Sequence, residues 1–177
     1  MRLSKLILAI WGWKMVGKIP EENKFIAVEA PHTSMWDFII GRLFFYSLGY
    51  KPSFLMKKEL FFFPLGWILV KMGGIPVNRK KKGDLVERMT QKFKDENKLY
   101  LIITPEGTRK KVTEWKLGFY YIAKSANVPI VPAYIDYQKK TIGVGPSFYA
   151  SENVDNDILR IKDFVKNAIP KHPERYK

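Results

Sequence analysis

The chain is predicted to fold as one α/β domain, a central mixed sheet flanked by helices, preceded by a short amphipathic helix. Short apolar runs alternate with helical patterns from residue 25 to the end, the mark of strands covered on both faces. A length of 177 residues suits a single domain. A hydrophobic content of 46% supplies a core and excludes wholesale disorder.

The first segment, residues 1–18, is distinct. Leu3, Leu6, Ile7 and Ile10 recur at helical spacing, with Arg2, Ser4, Lys5 and Lys14 among the polar positions and Trp11 and Trp13 suited to headgroup level. The apolar stretch Leu6–Trp13 falls far short of the roughly 20 residues a spanning helix needs. No A-x-A-like cleavage site follows it. The segment reads as a helix lying in the membrane interface; the alternative is an ordinary helix packed on the core. Residues 19–177 form the domain proper.

Within it, Phe25–Glu29 reads as a buried strand, then a turn at Pro31 and a helix over Met35–Leu48. Ser53–Lys57 is a second strand. The apolar Leu60–Met72 reads as a helix with Pro64 in its first turn. Gly73 and Gly74 stop it, and Ile75–Val77 is the next strand. Asp84 is placed to cap a helix carrying Leu85, Met89 and Phe93 on one face. Lys98–Thr104 is the clearest buried strand. A helix over Leu117–Ala126, strands at Val128–Ile135 and Thr141–Val144, and a helix over Asp157–Ile169 complete the order.

With 31 basic and 17 acidic side chains the formal charge is +14. Such an excess seeks nucleic acid or an anionic membrane surface. No RNP-like aromatic pair, KH-type loop, zinc-finger spacing or helix-turn-helix pattern supports nucleic acid. Cysteine is absent, which removes disulfides, thiolate metal sites and cysteine nucleophiles. Only His32 and His172 occur, so no His-rich metal centre is expected. There is no G-x-S-x-G elbow, P-loop or G-x-G-x-x-G.

The chemistry concentrates in two loops. His32 follows a strand and a turn, and Asp37 lies five residues later near a helix start. That spacing can set the carboxylate against one imidazole nitrogen and leave the other to take a proton from a hydroxyl. The strand Leu99–Thr104 runs into Glu106-Gly107-Thr108-Arg109 at the end of a sheet where ligands bind. Glycine there permits close approach, and Arg109 offers a fork for phosphate or carboxylate. Arg79 likewise follows a strand, and Val128–Pro132 is an apolar strand bracketed by prolines.

These four segments, in this order, resemble the motifs of the glycerolipid acyltransferases, typified by 1-acylglycerol-3-phosphate acyltransferase. His32–Asp37 matches H-x-x-x-x-D, Gly74–Arg79 the second motif, Glu106–Arg109 the E-G-T-R motif and Val128–Pro132 the fourth. The resemblance implies transfer of a fatty acyl chain from acyl-CoA or acyl-carrier protein to a lysolipid hydroxyl. His32 is then general base, Asp37 its orienting partner, and no cofactor is needed beyond the thioester. Arg79, Glu106, Gly107, Thr108 and Arg109 are implied to serve the acceptor. Lys57 resembles a family lysine near the acceptor phosphate, and Lys116 belongs to a K-x-G element after E-G-T-R.

Asn78 stands where the second motif commonly has an acidic or other polar residue. A carboxylate-bearing amino-acid lysolipid can use the same arginines as a phosphate one. Hydrolysis of the thioester by water is a further reading, although it leaves the arginines without a task. Acyl acceptors with long chains partition into lipid, so the expected location is the cytoplasmic face of an anionic membrane. Glu106 either pairs with Arg109 or serves the site; Phe61–Phe63 and Trp67 are core or a lipid-facing patch. His172, in a polar tail, reads as inert.

Overall fold

A computed structural model describes residues 1–78 and 82–176. The elements run α1 (Arg2–Ile10), β1 (Lys14–Val16), β2 (Lys24–Glu29), α2 (Met35–Ser47), β3 (Ser53–Lys57), α3 (Leu65–Lys71) and β4 (Gly74–Val77). Then follow α4 (Lys82–Asp95), β5 (Leu99–Ile103), α5 (Gly118–Ala126), β6 (Ile130–Asp136), β7 (Thr141–Val144) and α6 (Val154–Val165). The seven strands form one mixed sheet in the order β1-β7-β6-β2-β5-β3-β4. Among the described strands only β6 and β7 pair antiparallel.

The alternation of β2 explains the layers, because successive strand residues face opposite sides. Ile26 and Val28 pack with Met89 and Phe93 of α4, Phe119 and Ile122 of α5, and Ile161 of α6. Phe25 and Ala27 face the other way, onto Leu8 of α1 and Ile40, Phe44 and Phe45 of α2. The central parallel strands are thus buried on both faces, as their apolar runs require. Helix α3 lies on the α2 side. Phe54 of β3 meets Phe38 of α2, and a Cβ on its register partner Gly74 would sit 2.7 Å from the Leu69 carbonyl of α3.

Some boundaries differ from expectation. The N-terminal helix ends at Ile10, Gly12 turns the chain at φ +78, and residues 14–16 join the sheet edge against β7. Helix α1 docks through Leu8 while Leu3, Leu6 and Ile10 face outward. The apolar stretch after β3 becomes helical only at Leu65, with Pro64 as its N-cap. Helix α4 spans Lys82–Asp95, and the expected capping side chain, Asp84, lies outside the described side chains. Helix α6 starts earlier than its apolar stripe, because Asn153 accepts the Asn156 N–H at 3.0 Å and Asp155 and Asp157 suit the positive helix end.

Strands β2 to β6 run parallel through β2, β5 and β3. Their C-terminal ends therefore lie along one edge. That edge gathers the loops after β2 and β5, the end of β3 and the residue after β6, the usual place for ligands in such sheets.

Candidate active site

The His32–Asp37 spacing follows from how α2 begins. Ser34 is the N-cap, in extended conformation, and its hydroxyl oxygen accepts the Trp36 N–H at 3.2 Å. Asp37 is the third helical residue and completes the capping box by accepting the Ser34 N–H at 2.9 Å. The same oxygen, Oδ2, also accepts the Thr33 N–H at 2.9 Å and faces His32 Nδ1 at 3.0 Å. Its other oxygen, Oδ1, accepts the Tyr137 hydroxyl at 2.6 Å. Burial opposes ionisation of Asp37, but hydrogen bonds from His32, Tyr137 and Ser34 outweigh it and hold the carboxyl below its ordinary range. An ionised carboxylate only accepts, so His32 Nδ1 must carry the proton and donate. Nε2 is then an acceptor, with no hydrogen bond among the described residues, on a side chain 15% exposed.

Two further carboxyls surround the imidazole. Glu29 ends β2, and Gly41 of α2 makes room for it, since a Cβ there would meet its Oε2 at 3.0 Å. Burial, with the charges of Asp37 and Glu106, pushes Glu29 well above the ordinary carboxyl range. Glu106 accepts the His32 backbone N–H at 3.1 Å through Oε1, while its buried Oε2 has no partner among the described residues. Burial pushes Glu106 up to about 7 against the pull of its hydrogen bonds and of His32. Burial and the Asp37 carboxylate also push Tyr137 upward, so it stays a donor. Glu29, His32 and Asp37 offer ligand atoms within 4.8 Å of one another. Yet both Asp37 oxygens are taken by donors, and burial resists a charge on Glu29, a set suited to passing protons rather than gripping a cation.

The E-G-T-R loop sits beside this cluster. Gly107 adopts φ +60, and Lys116 lies across it so closely that a Cβ would come within 2.8 Å of its Nζ. The Lys116 N–H donates to the Pro105 carbonyl at 2.8 Å. Thr108 and Arg109 line an open cavity of about 470 Å³ together with Lys110, Lys111, Glu174 and Arg175. Glu106 is held by the His32 backbone rather than by Arg109. Lys57 is exposed at the C-terminal end of β3, on the same sheet edge. Arg79 lies outside the described residues.

Sequence reasoning missed three participants. Glu29 left a faint signal, a carboxylate ending an apolar strand. Tyr137, a hundred residues from Asp37, left none. The tail read as inert is tied to the site: the His172 N–H donates to Thr33 Oγ1 at 3.2 Å and Arg175 to the Thr33 carbonyl at 3.3 Å.

Comparison with known proteins settles the kinship. The model of the acyltransferase family matches residues 14–136. The chain belongs to that family. It is 27% identical over 137 residues to the 1-acyl-sn-glycerol-3-phosphate acyltransferase of Streptococcus pneumoniae, covering 72% of this chain and 50% of the relative. It is 33% identical over 114 residues to the human 1-acyl-sn-glycerol-3-phosphate acyltransferase beta, covering 58% of this chain and 39% of that one. The chain thus spans about half the length, or less, of these curated relatives. The crystal structure of the 1-acyl-sn-glycerophosphate (LPA) acyltransferase PlsC from Thermotoga maritima shares the fold, with a TM-score of 0.63 at 20% identity over 93% of this chain and 74% of that one.

The family match takes in His32, Asp37, Lys57 and Glu106–Arg109 but ends before Tyr137 and the tail. The Glu106 carboxyl makes a pH prediction. Its folded-state value is raised from 4.5 to about 7, so the stability it contributes is complete below pH 4.5 and is lost as pH rises through about 7. Glu29 acts with the same sign and Asp37 with the opposite one. Urea unfolding across that window should show wild type losing up to roughly 3 kcal/mol more than Glu106→Gln. Parallel stability curves for the two proteins would contradict the raised carboxyl.

Proposed function

We propose that the protein transfers a fatty acyl group from an acyl thioester to the hydroxyl of a phosphate-bearing lysolipid of the 1-acylglycerol-3-phosphate type. The observation that carries this reading is the pairing of His32 Nδ1 with an ionised, fourfold hydrogen-bonded Asp37 beside a cation-lined cavity. The arrangement leaves Nε2 able to take the acceptor's proton. As the proton leaves, the acceptor oxygen attacks the thioester carbonyl carbon. A carbon–oxygen bond forms, the carbon–sulfur bond breaks, and the thiolate recovers the proton from the imidazolium. The nucleophile comes from the substrate, so the chain needs no acylated side chain of its own. Arg109, with Thr108 and the neighbouring lysines, holds the acceptor's anionic headgroup.

His32→Ala should lower acyl transfer from acyl-CoA to 1-acylglycerol-3-phosphate by at least about a thousandfold, to the residue left by binding alone. Circular dichroism should show an unchanged fold. Transfer at the wild-type rate would remove the mechanism, and CoA release independent of the acceptor would replace transfer with hydrolysis.

We infer that the reaction takes place at a membrane surface. No helix among the described residues is long and apolar enough to cross a membrane. Helices α1, α2 and α3 share one side of the sheet and expose Leu3, Leu6, Ile10, Trp36 and Trp67, and Phe63, just before α3, is 90% exposed. Trp11 meets Trp36 edge to face at 5.9 Å, joining the end of α1 to the start of α2 four residues from His32. An apolar rim beside the imidazole suits an acceptor that resides in lipid, and the +14 charge suits anionic headgroups. Phe63→Asp with Trp67→Asp should cut co-sedimentation with anionic vesicles several-fold, and raised salt should weaken the wild type. Equal vesicle binding by variant and wild type would contradict this orientation.

A further inference from the structure

The tail after α6 crosses the active-site edge, although it lies beyond the segment that defines the family. Its anchoring is specific. The Tyr137 N–H donates to the Ile169 carbonyl at 2.8 Å, Lys171 Nζ sits 4.8 Å from the Trp36 ring centre, and His172 and Arg175 both bond Thr33. Thr33 is fully buried between His32 and the α2 cap. Tyr176 ends this strap, and burial together with the nearby Glu106 carboxyl pushes its phenol upward. The strap therefore closes the loop after β2 against the loop after β5.

The strap also carries a cation to the cavity. Arg109, Lys110, Lys111 and Arg175 line it, against Glu174 as the single carboxylate among the described residues. Glu174 Oε1 lies 3.7 Å from Arg175 Nε and 3.4 Å from His172 Nδ1, on a side chain 67% exposed. It holds Arg175 loosely. Arg175 Nη1 is engaged with the Thr33 carbonyl, which fixes one corner of a guanidinium whose fork has five N–H groups. A phosphate monoester brings nearly two negative charges and three acceptor oxygens, more than one guanidinium fork satisfies.

We propose that Arg175 is a second guanidinium for the acceptor's phosphate, working with Arg109 from the opposite loop, and that it sets the preference for phosphate-bearing over neutral acceptors. This rests on the acyl-transfer reading above and adds a selectivity residue to it. Because Arg175 also holds the Thr33 carbonyl that precedes the cap of α2, an occupied phosphate site and a well-placed His32 loop are mechanically joined.

The test compares full-length wild type, Arg175→Ala and Arg175→Lys on 1-acylglycerol-3-phosphate and on the same lipid without phosphate. In Arg175→Ala the ratio of kcat/KM values, phosphate over neutral, should fall by about tenfold or more, through KM for the phosphate acceptor. Lysine should restore part of the ratio, since it keeps the charge and loses the fork. Equal losses on both acceptors would reduce Arg175 to a structural tie, and an unchanged ratio would overturn the proposal outright. If alanine loosens the fold, the lysine variant carries the comparison, with a several-fold drop in the ratio expected. Calorimetric binding of glycerol 3-phosphate separates the two claims. Wild type that binds it in an Arg175-dependent way yet transfers no acyl group upholds Arg175 and contradicts the activity. Intact transfer with binding indifferent to Arg175 does the reverse.

Discussion

The site is organised around one negative charge. Asp37 is buried at 1% exposure, an environment that on its own would keep a carboxyl protonated. Two backbone N–H groups, a phenol and an imidazole converge on it and keep it ionised. The first turn of α2 adds its positive helix end. Each donor is itself fixed by another constraint. The N–H groups belong to the cap, Tyr137 follows the buried strand β6 and packs its ring edge-on to Trp13 at 5.3 Å, and His32 is held at its backbone by Glu106. Removing the charge would leave all four donors without their ionised acceptor at once.

The same economy of charge explains the neighbouring carboxyls. Three ionised carboxylates around one imidazole would repel one another and trap the ring as a permanent cation. Instead Glu29 and Glu106 are both pushed upward by burial, and Asp37 alone is pulled down. The carboxyl in contact with Nδ1 is the one favoured as an anion. Cations are kept apart from this buried cluster, on the open wall where Arg109, Lys110, Lys111 and Arg175 meet solvent. Proton transfer and anion binding thus occupy adjacent compartments of different polarity.

Much of the fold was legible because its central strands announce themselves. Phe25–Val28 and Leu99–Ile103 are apolar at every position, which only a strand covered on both faces needs. The His32–Asp37 constellation was equally readable, since Ser34-x-x-Asp37 is also a helix-start signal. Strand β1 was not. Its three residues are exposed, and its partner β7 lies far along the chain, so pairing rather than patterning makes it a strand. The start of α3 is hidden because apolar content continues through Phe61–Phe63 while the backbone becomes α-helical only at Leu65. Tyr137 and the tail were hidden for a common reason. Their roles depend on long-range closure, a phenol meeting a carboxylate across the sheet edge and a terminal strap folding back on Thr33. No local spacing encodes that.

The central claim is that Asp37 fixes which nitrogen of His32 holds the proton. Nitrogen-15 NMR of the imidazole in the intact protein at neutral pH reads this directly. The spectrum should show a protonated Nδ1 strongly hydrogen-bonded to the carboxylate and a bare Nε2. A proton resident on Nε2, with Nδ1 unprotonated, would contradict it.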